Sequence, residues 1–335
     1  MSERLHIFDR HLVRQRRARF AREFEGAGFL VEAVADRLLD RLGDIRNELR
    51  RILVLGGSRG LLETALSRRP GCEFVLASDA VRIELDAAGH VVSAVDLASG
   101  RDAIPAGERG NLLQLHQDFP NLWDAWDVDN SYRKMRRDLD AADEVRLDGD
   151  AVVVRRSFGA SSIEQRLYLA PDGRSLVIDN TVDWHETEKF LKLGFPIDVF
   201  ADAAVAETQF GFQSRATHDN TSWENARFET HAQRWFLVQE PGFGVAVAND
   251  STYGHDIRRN HPGLRAPGTT VRLSLIRGPK FPDPQTDQGR HQVRVSVVVG
   301  AGIPEAIEAG QRLNQRVREL RGARPVEPLV RLDVP

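Results

Sequence analysis

The sequence predicts a mainly β protein, a sandwich preceded by a small α/β segment. From Ala80 the chain breaks into short stretches of alternating apolar and polar residues, and turn-forming clusters recur between them up to about residue 300. The first 79 residues have a different texture, with helical spacing and one glycine-rich turn. The expected layout is therefore a helical and partial α/β segment over 1–79, the sandwich over 80–303, and a helix with a tail over 304–335.

Residues 3–51 read as helix, because Val31, Val34, Leu38 and Leu42 recur at spacings of three and four. Arg10, Arg14, Arg16, Arg17, Arg19 and Arg22 crowd its first part. Asp9, Glu23 and Glu25 interleave with them, so a solvated helix face is expected rather than an RNA contact or a targeting peptide. An apolar run at 52–55 then meets Gly56, Gly57, Ser58, Arg59 and Gly60, a helical stretch at 61–69 and a second apolar run at 74–77, a β-turn-α-β pattern. Such a turn lets the backbone approach a ligand and aims helix amides at it. Gly56, Gly57 and Gly60, with Asp79 after the second run, are the cofactor candidates of this segment.

Beyond residue 80, Val81, Ile83 and Leu85 alternate, a turn follows at 88–89, and 91–95 returns as a strand. Turns are expected at 171–173, 241–244 and 262–268. Ile307, Leu313, Val317 and Leu320 restore helical spacing before Pro325 and Pro328.

Composition sets outer limits. With 41% hydrophobic residues, 28% charged residues and a net charge of −3, the chain can build a packed core and shows no global bias towards nucleic acid or an anionic membrane. The single cysteine, Cys72, excludes an internal disulfide. No cleavable leader pattern opens the chain, and the apolar run 293–299, broken by Arg294, is far short of the roughly 20 residues a membrane helix needs. A cytoplasmic location is expected, with neither membrane nor nucleic acid as partner.

Nine segments occur in an order that names a family: GNLLQLH at 110–116, WDAWD at 123–127, FGASSI at 158–163, VDWH at 182–185, QFG at 209–211, RATHDNTSW at 215–223, YGHD at 253–256, LSLIR at 273–277 and DQGRH at 287–291. From 81 to about 320 the chain resembles glycoside hydrolase family 38, in its bacterial and cytosolic α-mannosidase branch. The resemblance implies a mutarotase-like supersandwich, the β-domain that follows a catalytic barrel and a three-helix bundle and packs against the active site. It also implies a retaining mechanism, whose two carboxylates stand about 5 Å apart, and a zinc ion on the mannose hydroxyls. Those groups belong to the barrel and bundle, so no catalytic residue and no bound cofactor are expected in this chain alone; zinc belongs to the complete enzyme. The implied partners are a mannoside or glycan and a separate barrel chain.

Residues 5–79 resemble the start of Rossmann-type methyltransferases that use S-adenosylmethionine, of the biotin-synthesis and complex I assembly-factor kind, which would make that molecule the ligand of the glycine turn. Val54 stands where that family usually carries an acid, and Arg59 where it carries a small residue.

Carbohydrate sites combine aromatic faces with carboxylates and arginine forks. Trp123, Asp124, Trp126 and Asp127 fit that chemistry, as do Tyr253, His255, Asp256, Asp287, Arg290 and His291, which are expected in loops facing the barrel; the alternative is that they only fix those loops. No metal site is expected from the adjacent pairs His255 with Asp256 and His218 with Asp219, because neighbouring strand residues point to opposite faces. Trp184 and Trp235 are expected in the core, and 220–223 as a turn bonding its own backbone. Three functional readings stay open: the β-domain of a larger or split α-mannosidase, a noncatalytic carbohydrate-binding or interface module, and a methyltransferase remnant. The meeting of two incomplete family patterns near 78–81 is also what a fusion would produce.

Overall fold

The computed structural model describes residues 74–260 and 268–315. Gly56, Gly57, Gly60, the helices expected over 3–51, the turn expected at 262–268 apart from its last residue, and the tail lie outside the described residues.

The first strand, β1 (Phe74–Ala77), begins a four-stranded antiparallel sheet with β2 (Val81–Leu85), β3 (Val91–Asp96) and β4 (Arg101–Asp102). Phe74 faces Leu85 and Ala77 faces Arg82, so the run expected to close a β-turn-α-β unit is the antiparallel neighbour of the strand after it. The link is too short for anything else. Ser78 Oγ accepts hydrogen bonds from Ala80 N at 3.0 Å and Val81 N at 3.1 Å, which leaves Asp79 at the exposed corner of a tight turn.

Two larger sheets form the sandwich. One runs β14 (Thr230–His231), β17 (Gly254–Arg259), β18 (Thr269–Arg277), β11 (Lys189–Ile197), β5 (Leu112–Gln117) and β6 (Arg136–Asp138). The other runs β13 (Gly211–Ala216), β12 (Ala203–Thr208), β15 (Trp235–Glu240), β16 (Phe243–Asn249), β19 (Gly289–Val299), β10 (Ser175–Trp184), β9 (Ser161–Leu169), β8 (Ala151–Phe158) and β7 (Glu144–Asp148). All pairings are antiparallel, and alternate residues supply the layer between the sheets: Leu113, Leu115, Leu191, Leu193, Phe195, Val271 and Leu273 from the first, Val152, Val154, Ile163, Leu167, Ile178, Val182 and Trp184 from the second.

The outer face of β15, β16 and β19 is covered by helix α2 (Ile303–Asn314), which follows the short helix α1 (Ser222–Ala226) in the chain. Ala306 and Ala309 pack on Trp235, Leu237, Ala246 and Val298 there. Cover on both faces explains why every residue of β16 is buried and why its sequence shows no alternation. Trp184 and Trp235 are both core residues, 0% and 1% exposed. The turn at 220–223 opens α1: Thr221 Oγ1 accepts from Glu224 N, and the Glu224 carboxylate accepts from Thr221 N, a capping box.

Candidate functional site

The functional face lies on the six-stranded sheet, on the side turned away from the sandwich core. Because Leu191 and Leu193 face the core, Lys192 between them faces the other way, and the same alternation turns Arg272, Ser274 and Asp256 outwards beside it. Lys192 and Asp256 are closed to water and Arg272 is nearly so, since the 3-10 turn Asn130–Lys134 and the segment leading into β14 lie over them.

The result is a buried ionic cluster. Lys192 Nζ stands 2.6 Å from Asp256 Oδ1 and also pairs with Glu229 Oε1. Arg272 contacts Asp256 Oδ2 at 2.9 Å through its terminal nitrogen and 3.0 Å through Nε, and Arg133 lies 3.5 Å from the same oxygen. The Tyr132 hydroxyl donates to Glu229 Oε1 at 2.5 Å, and Ser274 Oγ donates to Glu229 Oε2 at 3.3 Å. Burial opposes charge on Asp256, but Lys192, Arg272 and Arg133 outweigh it and hold the carboxyl well below the usual range. Burial likewise opposes charge on Lys192, and Asp256 and Glu229 outweigh it, so the ammonium titrates above its ordinary value. Burial pushes the Tyr132 hydroxyl up to about 12, so it acts as a donor at neutral pH.

An open cleft of about 580 Å³ lies against this cluster, lined by Phe190, Glu229, His231, Ser274, Arg277, Asp287 and His291. Glu229 is shared: one oxygen is locked into the cluster while the residue lines the cleft. Val128, from the segment 118–129, adds to the lining. Arg277 fixes that segment to β18, donating from Nε to Asp118 Oδ2 at 2.7 Å and from its terminal nitrogen to the carbonyls of Asp124 at 3.1 Å and Asp127 at 2.7 Å. The Asp124 carboxylate in turn accepts from the amides of Lys280 at 2.7 Å and Phe281 at 3.0 Å, tying a second loop to the first. Removing Arg277 strands the buried Asp118 carboxylate, so Arg277→Ala is expected to cost about 2–3 kcal/mol and to raise amide hydrogen exchange across 118–129 by about tenfold. Exchange unchanged in that segment would show that the anchor lies elsewhere.

The residues expected to meet carbohydrate separate into groups. Asp287 and His291 line the cleft, with His291 Nε2 donating to the Asp287 carbonyl at 2.8 Å. Trp123 and Trp126 are 67% and 68% exposed on the segment that Arg277 anchors. Asp124 and Asp127 belong to that segment too, but the first carboxylate caps two amides and the second accepts from Val128 N at 2.9 Å, so both shape the loop. Tyr253 is exposed between Thr252 and Gly254, which line the cleft.

Three expected positions are corrected. His255 and Asp256 are on β17, not in a loop, and each is 1% exposed. His255 stacks on Phe236 at 4.5 Å on the core side, while Asp256 points into the cluster. Arg290 sits on β19 next to His291, so strand alternation aims it away from the cleft, to a crevice shared with Arg155 and Glu164. His218 and Asp219 are engaged with Glu224 at 3.2 Å and Arg258 at 2.9 Å.

Glu229, Lys192, Tyr132, Ser274 and Arg277 were not among the expected site residues. Lys192 carried a readable signal, a lone charge inside the apolar run FLKLGFPI, the mark of a buried and paired cation. Glu229 carried none, since its position depends on a contact with β11 about forty residues away.

Two packed antiparallel sheets, one of them bearing an open cleft beside the segment that carries Trp123 and Trp126, define a β-sandwich module. Residues 76–285 match the glycosyl hydrolases family 38 C-terminal domain, and the chain belongs to that family. It is similar to alpha-mannosidase 2C1 of Homo sapiens, 38% identical over 244 residues that make up 70% of this chain and 23% of that protein. Alpha-mannosidase of Saccharomyces cerevisiae is 30% identical over 253 residues, 72% of this chain and 21% of that protein. The chain thus spans less than a quarter of the length of these relatives. The crystal structure of an alpha-mannosidase from Enterococcus faecalis shares the fold, with a TM-score of 0.55 and 13% identity over 71% of this chain and 30% of that one.

Proposed function

We propose that this chain is the β-domain of an α-mannoside-hydrolysing assembly, larger or split, and that it contributes carbohydrate contacts rather than the hydrolytic groups. The observation that carries this reading is the cleft, where neutral and acidic hydrogen-bonding groups stand beside the tryptophan-bearing segment 118–129 in a member of a glycoside hydrolase family. Glu229, Asp287, Ser274 and His231 suit sugar hydroxyls, and Trp123 and Trp126 offer flat apolar faces to a pyranose ring.

A zinc site needs at least three nitrogen, sulfur or carboxylate ligands, and among the described residues no group of three or more His, Cys, Asp or Glu gathers. On this reading the metal and the hydrolytic carboxylates belong to a barrel partner. No described helix is long and apolar enough to cross a membrane, and a cytoplasmic location accords with the single cysteine.

The test is titration of tryptophan fluorescence with methyl α-mannoside, alongside an assay with a chromogenic α-mannoside in the presence of zinc. A saturable signal that Trp126→Phe diminishes, with no turnover, is the expected result. Turnover abolished by chelator would overturn the assignment of hydrolysis to a partner, and the absence of any saturable signal would overturn the carbohydrate contact.

A further inference from the structure

A second crevice, of about 500 Å³, opens at the β5–β6 end of the six-stranded sheet, beside the β8–β9 turn of the nine-stranded one. It is separate from the cleft, with which it shares no lining residue. Its walls carry Lys134, Arg136, Arg137 and Lys189, with Glu186 as the sole acid among the lining residues.

The charges do not cancel locally. Arg136 is paired with Asp138 at 2.9 Å. Among the described residues, no carboxylate lies within ion-pair distance of Lys134, Arg137 or Lys189. Glu186 is committed elsewhere, since one of its oxygens accepts from Ala160 N at 2.8 Å and Ser161 Oγ at 3.2 Å in the β8–β9 turn. Three cations lining one recess repel one another, and an anion bound among them relieves that repulsion and gains charge-assisted hydrogen bonds. A guanidinium and two ammonium groups suit a phosphoryl group, whose oxygens accept from several directions at once. The recess is larger than a phosphoryl group alone would fill, and Leu115 and Met135 give it an apolar part.

We propose that this crevice is a binding site for an organic phosphomonoester, with Arg137, Lys189 and Lys134 holding the phosphoryl group and Leu115 and Met135 meeting the organic part. This site is independent of the carbohydrate cleft, and each can fail without the other.

The experiment is isothermal titration of the full chain at low ionic strength with phenyl phosphate in one arm and inorganic phosphate in the other. Saturable one-to-one binding is expected, several-fold tighter for phenyl phosphate and weakened by added salt. The double variant Arg137→Gln with Lys189→Gln should weaken both ligands by about tenfold or more, while Asp287→Asn in the cleft should leave them unchanged. Lys134→Gln, at an exposed position, gives an independent loss of a few-fold. No saturable binding, or equal affinity in the native chain and the double variant, would overturn the proposal. Equal affinity for the two ligands would overturn the organic part.

Discussion

Replacement of Asp256 by alanine is expected to cost about 3–5 kcal/mol of folding stability. The carboxylate is fully enclosed and answers Lys192, Arg272 and Arg133 together. Its loss leaves Lys192 with Glu229 alone and Arg272 facing two other cations in a medium that screens poorly. Removing one member of a buried ionic set costs more than the set contributes, because the remaining charges cannot regain their hydration. Urea denaturation would read the change as a drop in midpoint. Asp287→Asn, an exposed change at the cleft rim that keeps a side chain suited to the positive φ of 57° there, should move it by no more than about 0.5 kcal/mol. If the two variants lose similar amounts, the cluster is not what holds the covering segments in place. The substitution should also loosen the cleft floor, since Glu229 and Tyr132 are positioned by the same lysine.

The second large effect is acid sensitivity that begins well above the carboxylate range. Burial pulls the His116 imidazole down to about 4, and burial pulls His255 down to about 3, from an ordinary value of 6.5. In the unfolded chain both rings take up a proton near pH 6.5, while in the folded chain both stay neutral until far lower pH. The unfolded state therefore binds more protons throughout that interval, and stability falls as the pH drops. With about 1.36 kcal/mol per pKa unit for each ring, and each unfolded ring half protonated at pH 6.5, the combined loss between pH 6.5 and pH 5 is on the order of 3 kcal/mol. Asp256 contributes nothing to this slope, since a carboxyl held below its usual range loses its stabilising effect only under about pH 4. Melting temperatures between pH 7 and pH 5 provide the check. A flat profile would mean that both rings take up protons in the folded protein as readily as in the unfolded chain, and His255→Gln should remove about half of the slope.

The sandwich was legible because its strands alternate, and the strand positions of Val81, Ile83 and Leu85 or of Trp184 and Trp235 follow from that pattern alone. β16 gave no such signal, because α2 buries its second face. The segment YGHD misled for a local reason. Gly254 reads as a turn residue, yet it lies within β17, where a side chain would come within 3.2 Å of Ser274. The glycine marks a close approach of two strands, and with it His255 and Asp256 pass from a loop to the interior. The lining of the cleft was partly legible: Asp287 and His291 stand out by residue type, whereas Glu229 and Arg277 come to line it only through contacts across long stretches of chain.

In the nine-stranded sheet, β19 is the only link between two groups of strands, β7 to β10 on one side and β12, β13, β15 and β16 on the other. It is also, among the described residues, the last strand to be synthesised. Until residue 299 has left the ribosome, β10 and β16 each present an unpaired edge rich in valine, alanine and isoleucine, with nothing between them. Such edges invite pairing with other chains. The nascent protein thus passes through a stage at which both halves of this sheet exist and the sandwich cannot yet close, and a message cut short before β19 would yield two sticky half-sheets in place of a smaller sandwich.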